Sequence, residues 1–148
     1  MIYLVSIIIF ALDLLTKGLA ISCLAPHSPV YVLPIFNWYL TYNAGISFSM
    51  LTADSEEGIT LLIGMALAIC LGIIYMIRQE KDKLARFALA MILGGAFGNV
   101  WDRIRYGAVI DFLDFHWQEY HFPAFNLADS AICLGAGLLL LDIWRKRK

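Results

Sequence analysis

Four long apolar stretches dominate this sequence, at about residues 2–22, 58–77, 84–101 and 127–144. A helix needs about 20 predominantly apolar residues to cross the hydrocarbon core of a bilayer, and all four stretches fall within the usual range. They are too long for membrane strands and lack the alternation of apolar and polar residues that such strands show. We therefore predict an all-α membrane protein, with four transmembrane helices in a single domain over residues 1–148.

The composition excludes several other classes of protein. Of the 148 residues, 61% are hydrophobic and only 16% are charged. A soluble fold of this size could not bury so much apolar surface. The formal net charge of -1 gives no basic footprint for nucleic acid. The three cysteines form no CxxC pair and the three histidines show no metal-ligand spacing, so neither a metal nor another cofactor is expected.

The distribution of Lys and Arg predicts the orientation in the membrane, because cytoplasmic segments are enriched in these residues. Residues 78–86 carry four of them and residues 145–148 carry four more, whereas residues 23–57 carry none. Both termini are therefore expected in the cytoplasm. Segments 23–57 and 102–126 are expected on the opposite side, which is the periplasm or the cell exterior. The first span lacks a basic n-region and contains two charges, so we expect a retained helix rather than a cleaved signal peptide.

The first outer segment has a pattern of its own. Residues 30–33 and 36–42 are rich in β-branched and aromatic residues, and Pro34 separates the two runs. Such runs are typical of short strands. Trp38, Tyr39 and Tyr42 suit the membrane–water interface, where an apolar ring with a polar tip is favoured. We predict a small β-containing region that rests on the membrane surface.

Ionisable residues within the spans are candidates for function, because each costs roughly 2.5–3.5 kcal/mol to insert. Asp13 and Lys17 are four residues apart in the first span and so share one helix face. An ion pair between them would lower the cost of burial. The same pair could also shape a polar site near the outer end of the helix.

The third span carries a second group of polar residues. Gly95, Asn99 and Arg103 recur at intervals of four, and Asp102 lies on an adjoining stripe. The glycines of this span, which include a GxxxG pair, favour close helix packing. Asp102 and Arg103 alone could be a polar helix end, but Asn99 lies deeper in the span. This stripe is expected to face other polar groups.

Further acids and amides follow on the same side of the membrane. Asp111 lies in the predicted connecting loop between apolar neighbours, which indicates a constrained side chain. Asp114 has more polar neighbours and is interpreted as a solvated acid. Asn126 and Asp129 open the fourth helix, as an N-cap and a first-turn acid would. Because these groups gather at the outer surface while the inner halves of the helices are almost purely apolar, they indicate one site.

Several chemistries fit such a site. Two converging carboxylates in a partly dry site share one proton, so that one acid activates water and the other polarises a carbonyl. A Ser–Lys dyad of Ser47 and Lys17 is a weaker alternative. A small transporter or proton-relay protein is a further alternative, although its path would need polar groups on the inner side too. A purely structural membrane protein would leave deep polar residues such as Asn99 without a purpose.

The sequence resembles the lipoprotein signal peptidases, also called signal peptidase II. Five short stretches carry the resemblance, in the family's order and over nearly the whole chain. Each stretch alone is weak, and the five together in register are specific. They are residues 13–17 (DLLTK), 43–48 (NAGISF), 94–103 (GGAFGNVWDR), 109–112 (VIDF) and 125–129 (FNLAD).

The resemblance implies a four-helix aspartyl peptidase of the bacterial cytoplasmic membrane, with its site near the periplasmic face. Such an enzyme cleaves prolipoproteins just before a cysteine that carries a diacylglyceryl group, is inhibited by globomycin and needs no metal. It implies a catalytic dyad of Asp111 and Asp129, a choice of Asp111 over Asp102 that the physical argument does not make. The remaining implied roles are substrate contact by Asn43, Asn99 and Arg103, and support of the site by Asp13, Lys17, Gly95, Asp102 and Asn126.

Overall fold

Four helices form most of the protein in the computed structural model, which describes residues 1–45 and 56–147. All four are long and apolar enough to cross a membrane, and this confirms the predicted fold class. They are α1 (Ile2–Cys23), α2 (Glu56–Gln79), α3 (Lys83–Tyr106) and α4 (Leu127–Lys146).

Helix α3 is longer than the apolar stretch that predicts it. It begins after Asp82, whose carboxylate accepts hydrogen bonds from the backbone N–H groups of Leu84 and Ala85 at 2.8 and 3.2 Å. It ends at Gly107, which takes a left-handed conformation with φ of 71° and donates to the carbonyl oxygen of Arg103. The helix thus continues beyond the apolar stretch that ends near residue 101, and Arg103 lies inside it, as its spacing from Asn99 predicts. Asp102, in this last part of the helix, is buried against Lys17 of α1.

Helix α4 begins with a capping box. The side-chain oxygen of Asn126 accepts a hydrogen bond from the backbone N–H of Asp129 at 2.9 Å. In return, the carboxylate of Asp129 accepts from the backbone N–H of Asn126 at 3.3 Å. This reciprocal pair fixes the first turn. The predicted N-cap at Asn126 and first-turn acid at Asp129 are confirmed.

A four-stranded antiparallel sheet lies among the segments that connect the helices. Its strands follow one another in the order β1 (Val30–Leu33), β2 (Phe36–Asn43), β3 (Val109–Trp117) and β4 (Tyr120–His121). The first two were predicted. Strand β3 was not, and the prediction that Asp111 lies in a loop is wrong, because Asp111 pairs with Thr41 across β2 and β3.

Helix α3 packs against each of the other helices. Its glycines permit this, since a Cβ at Gly95 would collide with the carbonyl oxygen of Ala128 on α4. A Cβ at Gly98 would likewise collide with the carboxylate of Asp13 on α1. The close packing predicted for these glycines is therefore what brings α1, α3 and α4 together.

A small apolar cluster joins the sheet to α1. It contains Ala20 of α1, Leu40 of β2, and Ile110 and Phe112 of β3. Because these residues are buried together, the sheet is held against the end of α1 that follows Lys17. The strand that carries Asp111 is thus positioned next to the polar groups of the helices.

Candidate active site

Lys17 lies at the centre of a buried ionic cluster. Its Nζ is 2.7 Å from a carboxylate oxygen of Asp13 and 2.7 Å from one of Asp102, and it donates to Oδ1 of Asn99 at 3.1 Å. The lysine side chain is only 2% exposed. The predicted pairing of Asp13 with Lys17 is confirmed, and Asp102 is a second anionic partner. A buried ammonium is tolerated here because acceptors surround it.

The two acids of this cluster also fix backbone segments. Oδ1 of Asp13 accepts a hydrogen bond from the backbone N–H of Ala128 at 2.9 Å. Oδ2 of Asp102 accepts one from the backbone N–H of Ile110 at 3.1 Å. The cluster therefore holds the start of α4 and the start of β3 in place.

Asn99 connects the ionic cluster to Asp129. Its Nδ2 donates to Oδ1 of Asp129 at 2.7 Å, while its Oδ1 accepts from Lys17. Nδ2 of Asn126 also lies 3.3 Å from the Asn99 oxygen. Because a carboxylate only accepts hydrogen bonds, the Nδ2 end of Asn99 must face Asp129, and the Oδ1 end then faces Lys17.

Asp111 is held by two other amides. It accepts from Nδ2 of Asn126 at 2.7 Å and from Nδ2 of Asn43 at 3.0 Å, and it is 1% exposed. Asn126 thus binds the side chain of Asp111 and the backbone N–H of Asp129 at the same time. The structure brings both acids of the predicted dyad to one asparagine.

The environment of Asp111 favours its protonated form. Burial, together with a smaller contribution from the negative charge of Asp129, raises the pKa of this carboxyl from 3.8 to about 6. The hydrogen bonds from Asn43 and Asn126 act in the opposite direction but do not outweigh burial. Asp111 is therefore suited to hold a proton.

Arg103 lies beside the end of strand β2. Its Nη1 donates to the backbone carbonyl of Asn99 at 3.2 Å. A Cβ on Gly45 would lie 3.2 Å from Nη2 of Arg103, so this glycine, with φ of 71°, permits the close approach. Nε of Arg103 is buried and has no hydrogen-bond partner among the described residues. A donor is therefore available at this position.

Some predicted residues behave differently from expectation. The interpretation of Asp114 as a solvated acid is wrong, because it is 4% exposed and accepts from Asn37 and His121. Ser47, together with residues 46–48 of the second matching stretch, lies outside the described residues. Within the described residues, no group of three or more His, Cys, Asp and Glu could hold a metal ion.

Comparison with known proteins identifies the family. A family model described as signal peptidase (SPase) II matches residues 5–145. The chain belongs to the signal peptidase II family. This family consists of proteases, and the match covers all four helices and the sheet.

Named relatives of this signal peptidase II chain agree along its length. A lipoprotein signal peptidase of Polynucleobacter necessarius is 46% identical over 143 residues, covering 96% of this chain and 88% of the relative. A lipoprotein signal peptidase of Syntrophotalea carbinolica is 43% identical over 145 residues, covering 96% of this chain and 89% of the relative. A bacterial membrane enzyme structure, solved by the in meso method at 2.3 Å resolution, has a TM-score of 0.85 at 24% identity. The match covers 98% of this chain and 88% of that structure. It supports the fold.

Proposed function

We propose that this chain removes signal peptides from prolipoproteins, with Asp111 and Asp129 as its catalytic dyad. The family membership supports the peptidase activity. The observation that carries the dyad is Asn126, whose one side chain bonds to the carboxylate of Asp111 and to the backbone of Asp129. Cleavage is expected just before a cysteine that carries a diacylglyceryl group.

In this mechanism the two acids divide the work. Asp111 donates its proton to the carbonyl oxygen of the scissile bond, and ionised Asp129 takes a proton from water. The hydroxide equivalent adds to the carbonyl carbon and gives a tetrahedral intermediate. That intermediate collapses when the leaving nitrogen takes the proton from Asp129 and Asp111 recovers its own. Bound substrate excludes water and so raises the pKa of Asp111 above the value of about 6.

The substrate backbone has suitable partners beside the dyad. The unpaired Nε of Arg103 can donate to a peptide carbonyl, and its charge persists at all working pH values. Asn43 lies at the end of β2, bonded to Asp111 on one side and to the N–H of Gly45 on the other. Asn99 is partly exposed and bonded to Asp129. These three contacts fit an extended peptide next to the acids.

An apolar cavity supports recognition of a lipid-modified substrate. Its volume is about 350 Å³, and its lining includes Thr16, Leu19, Trp38 and Phe112. Phe112 is the residue after Asp111 on β3, so the cavity lies next to the strand that carries this acid. A hydrocarbon chain that enters from the bilayer leaves a medium as apolar as this cavity, so the cavity would bind it through van der Waals packing and shape rather than by removing it from water. The cyclic peptide inhibitor globomycin is expected to occupy the same substrate region.

We further propose the bacterial cytoplasmic membrane as the location, with both termini in the cytoplasm and the site near the periplasmic face. The basic residues at 78–86 and 145–148 support this orientation. A diacylglyceryl substrate can then enter laterally from the membrane, and the released chain leaves on the outer side.

The alternative chemistries are less well supported. The Nζ atom of Lys17 is surrounded by Asp13, Asp102 and Asn99, which stabilise the ammonium and occupy the atom that a Ser–Lys mechanism needs as a free base. A proton relay across the membrane would need a polar path through the inner half. The inner halves of α2 and α3 instead pack through Cys70, Ile73 and Leu89.

The test of the dyad is cleavage of a lipid-modified prolipoprotein in detergent. Asp111→Asn and Asp129→Asn should each lower kcat by at least about 10²–10⁴-fold, because each removes one proton-transfer group. Both should stay folded and still bind globomycin. Glu57→Gln makes the same kind of change at an exposed position and should retain wild-type activity. A folded Asp variant that cleaves at the wild-type rate contradicts the dyad.

Substrate selection has its own test. The same precursor without its diacylglyceryl group should be cleaved with a kcat/KM at least about tenfold lower, because it loses buried apolar contact. Equal rates for the two precursors contradict lipid recognition. They would leave the peptidase activity itself intact.

A further inference from the structure

A second cavity lies away from the dyad, on the four-stranded sheet. Its volume is about 710 Å³, and residues of all four strands line it. This lies within the range of about 300–1,000 Å³ that small-molecule sites have. The lining includes Asn37, Tyr39, Asp114, His116 and His121. Asp114 is three residues from Asp111 on β3, so the side chains of a regular strand would point to opposite faces there.

Asn37, which lines this cavity, carries a buried acceptor that has no partner among the described residues. Its Nδ2 donates to Oδ2 of Asp114 at 3.0 Å, and the residue is 1% exposed. Because the carboxylate only accepts, Oδ1 must be the atom of Asn37 without a partner. A buried polar atom of this kind costs about 1–3 kcal/mol unless a donor reaches it. The site therefore lacks an N–H or O–H group.

Two histidines add to the surplus of acceptors. Nδ1 of His121 lies 2.9 Å from the carboxylate of Asp114, and Nδ1 of His116 lies 3.3 Å from the carbonyl oxygen of Gln118. Each Nδ1 therefore carries a hydrogen, and each Nε2 of a neutral ring is an acceptor. Nε2 of His116 is buried without a partner among the described residues. It stands beside Asn37 as a second acceptor in the lining.

The charge of the lining favours a cation. Asp114 and Glu119 are both present, and no Lys or Arg occurs among the described residues that line the cavity. The rings of Tyr31, Tyr39 and Phe122 also contribute to the lining. Aromatic faces attract an ammonium within about 6 Å of the ring centre. Acceptors, carboxylates and aromatic rings together match a positively charged N–H donor.

We propose that this cavity binds a primary ammonium group, carried by an aminolipid headgroup or by a free amine. A primary ammonium offers three N–H donors, enough for the vacant oxygen of Asn37 and a carboxylate. Both edges of the sheet carry exposed aromatic side chains: Tyr31 on β1 is 79% exposed, and Trp117 on β3 and Tyr120 on β4 are 70% and 81% exposed. Such residues suit the interface where lipid headgroups lie. This binding is independent of the peptidase reaction.

The deciding experiment compares ethanolamine with choline, titrated into the wild-type protein in a non-ionic detergent and followed by calorimetry. Both ligands carry one positive charge and one hydroxyl, but choline has no N–H. Ethanolamine should bind saturably and at least about tenfold more tightly than choline, because hydrogen bonds to charged groups are strong. Equal affinities, or no saturable binding of ethanolamine, overturn the proposal.

Two substitutions locate the binding. Glu119→Gln should weaken ethanolamine by about threefold through loss of one nearby charge, while Glu57→Gln should leave its affinity unchanged. Asp114→Asn should weaken it further, since the carboxylate is buried. If Asp114→Asn does not fold, the comparison of Glu119→Gln with Glu57→Gln still shows whether ethanolamine binds in this cavity. Equal affinity in Glu119→Gln and Glu57→Gln places any binding elsewhere and overturns the assignment.

The source of the ammonium follows from nanodiscs of phosphatidylcholine with and without phosphatidylethanolamine. An aminolipid that occupies the cavity should compete, so that the apparent affinity for ethanolamine falls several-fold in the mixed discs. A free-amine site should give the same affinity in both. Both results are compatible with an ammonium site as long as choline binds more weakly than ethanolamine in the discs of phosphatidylcholine alone.

Discussion

Asn126 donates a hydrogen bond of 2.7 Å from Nδ2 to Oδ1 of Asp111. The other end of the same amide accepts from the backbone N–H of Asp129. One side chain therefore caps α4 and positions both acids. Its helix-capping role and its role in the site can be separated by substitution.

Asn126→Ser should retain most of the capping energy, because Ser is as good an N-cap as Asn. The shorter hydroxyl cannot reach Asp111, so cleavage should fall by about 10-fold or more. Asn126→Ala should lose the same activity and also about 1 kcal/mol of stability. Thermal unfolding and cleavage assays on both variants test this. Equal activity of Asn126→Ser and wild type would show that the contact with Asp111 is dispensable.

The stability of the protein should depend on pH through Asp111. Its pKa is about 6 when folded and returns to about 3.8 when unfolded, so the folded state binds more protons between those values. The free energy of unfolding should therefore fall as pH rises from about 4 to about 6, by roughly 1–3 kcal/mol, and this contribution should stay constant above. Asp111→Asn should lack this part of the pH dependence. Denaturant unfolding of both proteins from pH 4 to pH 8 measures the difference, and identical profiles would contradict it.

Removing the ammonium of Lys17 should strongly destabilise the fold. In Lys17→Met, the carboxylates of Asp13 and Asp102 stay buried without their shared partner, which costs about 3–5 kcal/mol. Lys81→Met removes an exposed lysine and should change stability by less than about 0.5 kcal/mol. Thermal unfolding in detergent compares the two. A similar small effect in both variants would mean that the buried cluster contributes little.

A methyl group at Gly98 should disturb the contact between α1 and α3. Its Cβ would meet the carboxylate of Asp13, which cannot withdraw without leaving Lys17, so Gly98→Ala should cost about 1–3 kcal/mol. At Gly72 a Cβ meets nothing within 4 Å, and Gly72→Ala should be neutral or stabilise by up to about 1 kcal/mol. Unfolding of both variants tests the difference in sign. A neutral Gly98→Ala would contradict the tight approach.

Cysteine labelling tests the orientation. In a background with Cys23→Ser and Cys133→Ser, Ser28→Cys should react with an impermeant reagent in spheroplasts whose cytoplasmic membrane is intact. Lys81→Cys should react only after that membrane is opened, because the basic segment around it is expected in the cytoplasm. The reverse pattern would invert the topology.

Most of the helical architecture was readable from the sequence, because long apolar runs have few alternative structures in a bilayer. The limits of those runs were less informative. The apolar run of the third span stops near residue 101, although α3 continues to Tyr106. Asp102 is buried against Lys17, a partner 85 positions away in the chain that no local pattern reveals.

Strand β3 was not predicted because it, too, lacks the local sequence pattern that would indicate it. Its first four residues, from Val109 to Phe112, are all buried, so the alternation that marks a half-exposed strand is missing. Asp114 was interpreted as solvated because polar residues such as His116 and Glu119 follow it in the sequence. Its partner Asn37 lies on β2, and only the pairing of β2 with β3 brings the two together.

The cluster around Lys17 makes assembly of the helices and formation of the site a single event. Asp13 and Lys17 come from α1, Asp102 comes from α3, and the backbone group that Asp13 binds opens α4. In a chain in which these helices have not yet met, Asp13 and Lys17 can still pair within α1, but Asp102 lacks its partner at membrane depth, at a cost of several kcal/mol. The partly assembled protein therefore has a much higher free energy than the native state. A protease that degrades unassembled membrane proteins would therefore encounter two kinds of chain. In one the helices have not packed, and in the other the acids of the site are already in place.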